Sequence, residues 1–446
     1  MRGFSERKRT KRLGLATIST LLLLALAFSV IPAVGAVPSF SGSQSPGGID
    51  VAVGPPATAS AAGLQALIDQ ASSGTTVLLP PGTYVGQLHV DKSLALVGSG
   101  EGKTILQSPS TMTPDSLGNV FVVEVGHGAS VQISALTVRV TEQCMLANSI
   151  GVATGGGVGV RDNSTLRIST VNIVAYGPYP HLDQACTTHG SAGMISFGRA
   201  ISIGLDDGPG DGTSTQVEGH GSIEQVTTKG FDIFSISVGG VRGPSGSTAT
   251  IEDNVVRVGP GPYTAAYGIV VYGVSVVSNN LVIGEAGSDG GIAVVFTSAL
   301  VTNNVVKNFV CTSAPFPISP PCGVDPFFDD QDLGIFLASI TPGTVVTGNS
   351  IHHVDAGIFV DGPGAPAIIA HNSITGSTYY GLDLIDANQT FRNDVVTGGL
   401  YAIAVGADAA NTTAILAHDT IHGYSVALGL LEANYPWVAK LVVRSH

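Results

Sequence analysis

From residue 254 to the C-terminus the apolar residues fall in short alternating runs separated by turn residues, the pattern of half-buried strands rather than helices. One kind of run opens on Asn: "NVV" at 254, "NLV" at 280, "NVV" at 304, "NSI" at 349, "NSI" at 372 and "NDV" at 393, with "DTI" at 419 in the same place. A second kind opens on Gly and an aliphatic residue: "YGIVVYG" at 267, "GGIAVVF" at 290, "LGIFLAS" at 333, "AGIFVDG" at 356 and "YGLDLID" at 380. The two kinds alternate with a period in the low twenties, and the step from Asn304 to Asn349 is roughly doubled. A unit of that length cannot bury its apolar face alone. Coils stacked about 4.8 Å apart pair each backbone with the coils above and below and share one core. An Asn at the same turn of each coil then bonds its neighbours as a ladder, and it tolerates left-handed turn geometry.

The N-terminal half has the same texture without the Asn mark. "GLQALIDQASSG" at 63–74 predicts a short amphipathic helix over about 62–72. The following "TTVLLPPGTYVGQLHVDKSLALVGSGEGKTILQS" alternates strands with Pro-Gly and Gly-rich turns. A helix before the first strand covers the exposed edge of the stack. The expected fold is all-β, a single right-handed parallel β-helix over residues 58–440 capped by that helix. Composition agrees: charged residues make up 11% and Gly numbers 59, which suits many short strands joined by turns.

The first residues predict export. Arg2, Arg7, Lys8, Arg9, Lys11 and Arg12 precede an apolar stretch from Leu13 to Val34 that ends in "AVGA", so residues 1–36 are expected to be a cleaved signal peptide and 37–57 a flexible linker. The alternative is an uncleaved anchor. Cleavage would leave a secreted or cell-surface protein with no membrane span. The net charge is −13 and becomes more negative once that segment is lost, which argues against nucleic acid or an anionic membrane as partner and favours cations. Four cysteines, Cys144, Cys186, Cys311 and Cys322, fit an oxidising compartment and allow three pairings. The simplest is a local Cys311–Cys322 bridge pinching a loop near 308–332, which leaves Cys144 with Cys186 around a second loop near 144–190. No CxxC suggests a zinc site.

The stretch from "LQALIDQ" to "GEGKTIL" resembles the opening of right-handed parallel β-helix proteins of the pectin-lyase-like superfamily. The Asn and Gly-Ile coils resemble the repeats of the NosD-like nitrous-oxide-reductase accessory proteins and of carbohydrate-binding β-helix proteins. The likeness spans most of residues 58–430. It implies polysaccharide or a cell-surface glycan as partner and says little of activity, since that superfamily holds lyases, glycoside hydrolases, esterases, epimerases and non-enzymes. Complete catalytic signatures are absent. "GHG" at 219–221 follows Asp206 and Asp207 as in polygalacturonases, but no Asn-Thr-Asp precedes it and no Arg-Ile-Lys follows. "VGSGEGKT" at 97–104 fails as a phosphate loop because Val97 stands where Gly is needed.

Candidate chemistry lies outside the repeat. Aligning coils on their Gly-Ile starts puts Ala266, Asp289, Asp332, Asp355 and Tyr379 in one column, so three carboxylates would lie close enough to need a cation or a proton. Calcium would suit them, joined by Asp329 and Asp330 of the insertion "CTSAPFPISPPCGVDPFFDDQD". Three residues after the repeat Asn stand Arg257, Lys307 and His352. A uronate lyase would use the cation to acidify the substrate α-proton and an Arg or Lys to remove it. A glycoside hydrolase would instead set two carboxylates across a cleft, for which Asp361 and Asp383 are further candidates. Tyr176 and Tyr179 of one loop and Phe327 and Phe328 of the other could stack on sugar rings. The plainer account of the aspartates is turn capping. The expected function is polysaccharide binding with processing as an extension; the alternatives are a lyase or hydrolase of acidic glycans and a structural surface rod.

Overall fold

The computed structural model describes residues 51–52, 61–110, 112–113, 120–141, 156–160, 163–176, 182–183, 193–194, 199–206, 216–217, 219–231, 234–239, 245–259, 266–285, 288–311, 332–407, 410–433 and 438–444. The expected signal peptide lies outside them. Within the expected linker, Val51–Ala52 already pairs in parallel with Val77 and Leu78, so the first rung begins before residue 58.

The chain forms a parallel β-helix. Each coil contributes to three sheets. Sheet A holds the Gly-Ile strands, among them Tyr267–Val271, Gly290–Val295, Leu333–Ala338, Ala356–Asp361 and Tyr380–Ile385. Sheet B follows, with Gly273–Ser278, Ala299–Thr302, Val345–Thr347, Ile368–Ala370 and Asn388–Arg392. Sheet C holds the strands after the Asn, with Val255–Val258, Leu281–Gly284, Val305–Phe309, Ser350–Val354 and Ser373–Thr375. Each strand pairs in parallel with its counterpart one coil on.

Alternation fills the interior. Ile269, Ile292, Ile335, Ile358 and Leu382 of sheet A meet Val277, Val301, Val346 and Ile369 of sheet B and Val282, Val306, Ile351 and Ile374 of sheet C in one buried core. The glycine that opens the sheet A strands has a steric cause: a Cβ on Gly334 would stand 2.5 Å from Gly357 O and 2.6 Å from Ile351 Cγ2. The helix, Ala61–Gln70, buries Leu64 and Ile68 over the N-terminal end. Its Gln65 side chain bonds both backbone groups of His89 on the strand Leu88–Val90, donating to the carbonyl and accepting the N–H, each at 2.9 Å. That satisfies an edge otherwise open to pairing.

The asparagines between sheets B and C form the expected ladder. Asn254 Nδ2 donates to Asn280 Oδ1, Asn280 to Asn304, Asn304 to Asn349 and Asn349 to Asn372, all at 2.9–3.0 Å. Each Nδ2 also donates to a sheet B carbonyl, such as Val277 O for Asn304, and each backbone N–H donates to the next Oδ1. Two expectations are corrected here. The sixth rung is Asp394, and Asn393 is the residue before it. The left-handed position is also that preceding residue, at Asp253, Asn279, Asn303, Gly348, His371 and Asn393, while the ladder Asn does not carry it.

Candidate functional site

The basic residues that follow the ladder share one line. On the outward face of sheet C, Arg257 is the register partner of Ile283, Ile283 of Lys307, and Lys307 of His352. The line extends through earlier coils that lack the Asn mark: Arg257 pairs with Lys229, Lys229 with Val174, and Val174 with Arg139. Lys229 and Arg257 are exposed and Lys307 is half-buried, and none of the three enters an ion pair among the described residues. In a chain of net charge −13, four cations are thus set along the axis of the stack.

His352 stands at the end of this line. Its Nε2 lies 2.5 Å from Ser350 Oγ, its Nδ1 is bonded to Thr375 Oγ1, and Thr375 is its register partner in the next coil. Partial burial, then the neighbouring His353 and Lys307, hold its pKa below the ordinary imidazole value. At neutral pH the ring is therefore uncharged.

The carboxyl column lies at the turn from sheet C to sheet A. Backbone bonds link Asp289 N to Ala266 O, Asp355 N to Asp332 O and Tyr379 N to Asp355 O, each at 3.0 Å. Asp289 Oδ2 accepts Ala266 N–H at 2.6 Å, and Asp355 Oδ2 accepts Cys311 N–H at 2.9 Å. These are caps on the neighbouring coil, but Asp332 Oδ2 and Asp355 Oδ1 are buried without a partner. Burial pushes Asp289 up to about 7. Burial, with the carboxylates of Asp289 and Asp355 beside it, pushes Asp332 up to about 9, and burial also raises Asp355. The causes of these shifts are burial and the neighbouring carboxylates, offset in part by backbone and side-chain hydrogen bonds.

Cys311, Asp332 and Asp355 each offer a ligand atom within 4.8 Å of the others, so the group could hold a metal ion. Cys311 is disulfide-bonded, which removes its thiolate, and no cysteine pair is seen among the described residues. Two carboxylates and a disulfide sulfur fall short of the six to eight oxygens that calcium takes. The described donors fit shared protons better.

On the outward face of sheet A, Phe336 stacks on Phe359 at 5.3 Å between ring centroids and Tyr380 on Tyr401 at 5.5 Å. Asp383 is the register partner of Phe359 there. It is 2% exposed, its Oδ1 has no partner, and burial, then the charge of Asp361, raises it to about 8. Tyr179, Phe327, Phe328, Asp329, Asp330, Cys144, Cys186 and Cys322 lie outside the described residues, as does the side chain of Tyr176. Sequence reasoning missed Arg139 and Lys229 in the basic line and both hydroxyls on His352. The signal for Ser350 was "SIH" in a strand, which puts Ser350 and His352 on one face.

The fold is that of a parallel β-helix. No protein-family profile and no curated protein matches the chain. Among solved structures it is similar to the periplasmic alginate epimerase AlgG, with a TM-score of 0.51 and 12% identity over 83% of each chain. It is also similar to a PL6 family polysaccharide lyase from Pseudopedobacter saltans, with a TM-score of 0.46 and 13% identity over 90% of this chain and 93% of the other. An alginate lyase from Paenibacillus sp. str. FPU-7 matches at a TM-score of 0.37 and 12% identity, over 89% and 99%. At these identities the likeness is one of fold.

Proposed function

We propose that the protein is an exported polysaccharide-binding β-helix that holds an acidic glycan lengthwise on the outward face of sheet C. The observation that carries this reading is the line of Arg139, Lys229, Arg257 and Lys307 in a single register column. Cations one or two strands apart, hence about 5–10 Å, face repeated carboxylates on an extended chain without any need for a deep pocket. Lys229, Arg257 and Lys307 enter no ion pair among the described residues, so a ligand's anions displace only water and salt there. The likeness in fold to the periplasmic alginate epimerase AlgG makes uronate polymers the first ligands to try.

The test is affinity electrophoresis and calorimetry with a uronate polymer and a neutral glucan, wild type beside Lys229→Gln/Arg257→Gln/Lys307→Gln. The wild type should bind the uronate polymer and leave the glucan, and the triple variant should lose about tenfold or more in affinity. Equal binding of glucan and uronate, or a triple variant that binds as the wild type does, overturns the reading.

A further inference from the structure

Ser350, His352 and Thr375 form a bonded line of hydroxyl, imidazole and hydroxyl on the face that carries the cations. Ser350 and His352 are two residues apart in one strand, so their side chains leave the sheet on the same side. Thr375 occupies the register position of His352 in the next coil. The ring is therefore held at both nitrogens, by Ser350 Oγ at Nε2 and by Thr375 Oγ1 at Nδ1. With Nδ1–H donating to Thr375, Nε2 presents the lone pair that accepts the Ser350 O–H. A nucleophile bonded to a base, and a base oriented by a third group, is the arrangement by which serine hydrolases activate a hydroxyl. All three residues are half-buried, so a ligand lying on sheet C can reach them.

We propose that Ser350 is the nucleophile of an ester-hydrolysing site that removes O-acyl groups from the polysaccharide held on the basic line. The identity of the substrate rests on the binding reading above; the chemistry of Ser350 does not. Ser350 Oγ attacks the ester carbonyl carbon as its proton passes to His352 Nε2. The tetrahedral oxyanion develops beside Lys307, the register partner on the other side of His352, whose ammonium opposes the new charge. The bond from the carbonyl carbon to the sugar oxygen breaks, and the Nε2 proton goes to that oxygen, which leaves as a free hydroxyl. Water then attacks the acyl-serine, giving its proton to Nε2; the acid departs and Ser350 recovers its proton. The net change is ester plus water to carboxylic acid plus alcohol. A base of this kind must be neutral at the working pH, and the lowered pKa of His352 meets that need. Thr375 touches no reacting atom and is a positioning residue.

The experiment has two arms on the purified full-length protein. The first follows p-nitrophenyl acetate turnover and acetate release from an O-acetylated uronate polymer. Ser350→Ala should lose about 100-fold or more in kcat, whereas Ser373→Ala, the register partner one coil on, should stay within about twofold. Thr375→Val should lower kcat and shift the acidic limb of the pH profile with little change in KM, a response that loss of structure alone would not give. The second arm treats the wild type with a fluorophosphonate and maps the adduct by mass spectrometry, which should fall on Ser350. An adduct elsewhere, or wild-type turnover no greater than that of a folded Ser350→Ala protein, overturns the proposal. If Ser350→Ala does not fold, the wild-type adduct decides. Turnover of the small ester without polymer binding would keep Ser350's role and discard the binding reading; binding without turnover would do the reverse.

Discussion

Asp394 Oδ1 accepts the side-chain amide of Asn372 at 3.0 Å and its backbone N–H at 2.7 Å, so a carboxyl group stands where each earlier rung has an amide. Its own N–H passes on to Asp419 Oδ1 at 2.8 Å, but its Oδ2 is buried with no partner. In the asparagines that second atom is a donor. Burial pushes Asp394 up to about 6, and a protonated acid can supply the missing donor. Its folded-state pKa is raised, so its contribution to stability is complete below about pH 4 and is lost as pH rises through about 6. Asp394→Asn should therefore stabilise the protein by about 1–2 kcal/mol at pH 8 and by little at pH 4. Thermal unfolding of both proteins across that range checks it; equal melting curves at pH 8 would count against the account.

The carboxyl column acts in the same direction over a wider window. With Asp289 raised to about 7 and Asp332 to about 9, stability should be fullest near pH 4 and fall as pH rises toward 9. Asp332→Asn with Asp355→Asn should flatten that slope, as read by denaturant unfolding at several pH values. Millimolar calcium should leave the wild-type slope unchanged, because the described donors suit protons. A calcium-induced rise in stability at pH 9 that the double variant lacks would show the column to be a cation site.

Gly334→Ala should destabilise by about 1–3 kcal/mol, because the added Cβ meets the Gly357 carbonyl and the Ile351 side chain in the adjoining parts of the stack. Gly376, whose added Cβ would have nothing nearer than 3.8 Å, carries a positive φ of 68° and should show only a backbone cost of about 1 kcal/mol on the same change. Denaturation midpoints of the two variants distinguish crowding from backbone strain.

Binding to the basic line should weaken steeply with salt. Raising ionic strength from about 0.05 to 0.5 M shortens the screening length from roughly 14 to 4 Å and should cost wild-type affinity for a uronate polymer tenfold or more. The same change should have a smaller effect on the triple Lys229, Arg257 and Lys307 variant. A salt-independent affinity would point to the aromatic face of sheet A as the contact.

The stacked fold was legible because an Asn at one turn can satisfy its neighbours only by repeating, and Asn254 to Asn372 repeat visibly. The slip at Asn393 arose where two side chains of similar shape stand side by side and the sequence does not say which of them accepts from Asn372. Arg257, Lys307 and His352 could be aligned from that mark. Lys229 could not, since its coil places Val226 at the ladder position, where only a backbone N–H meets Asn254 Oδ1. The Asp column was equally visible, but its protonation depends on burial, which spacing does not encode. The Thr375 partner of His352 was hidden because it comes from the next coil, whereas Ser350 lies two residues away in the same strand.

The bond from Asn304 to Asn349 spans 45 residues, while its neighbours on either side span 24 and 23, yet at 3.0 Å it is nearly as short as their 2.9 Å. The stack therefore reads only what lies between Gly334 and the following asparagine and is indifferent to how much chain precedes that strand. The turn between sheets C and A is thus a port that admits chain of different length between successive asparagines without altering the spacing of the ladder. New loops, and with them new specificities, can be acquired at this port while the architecture that carries them stays fixed.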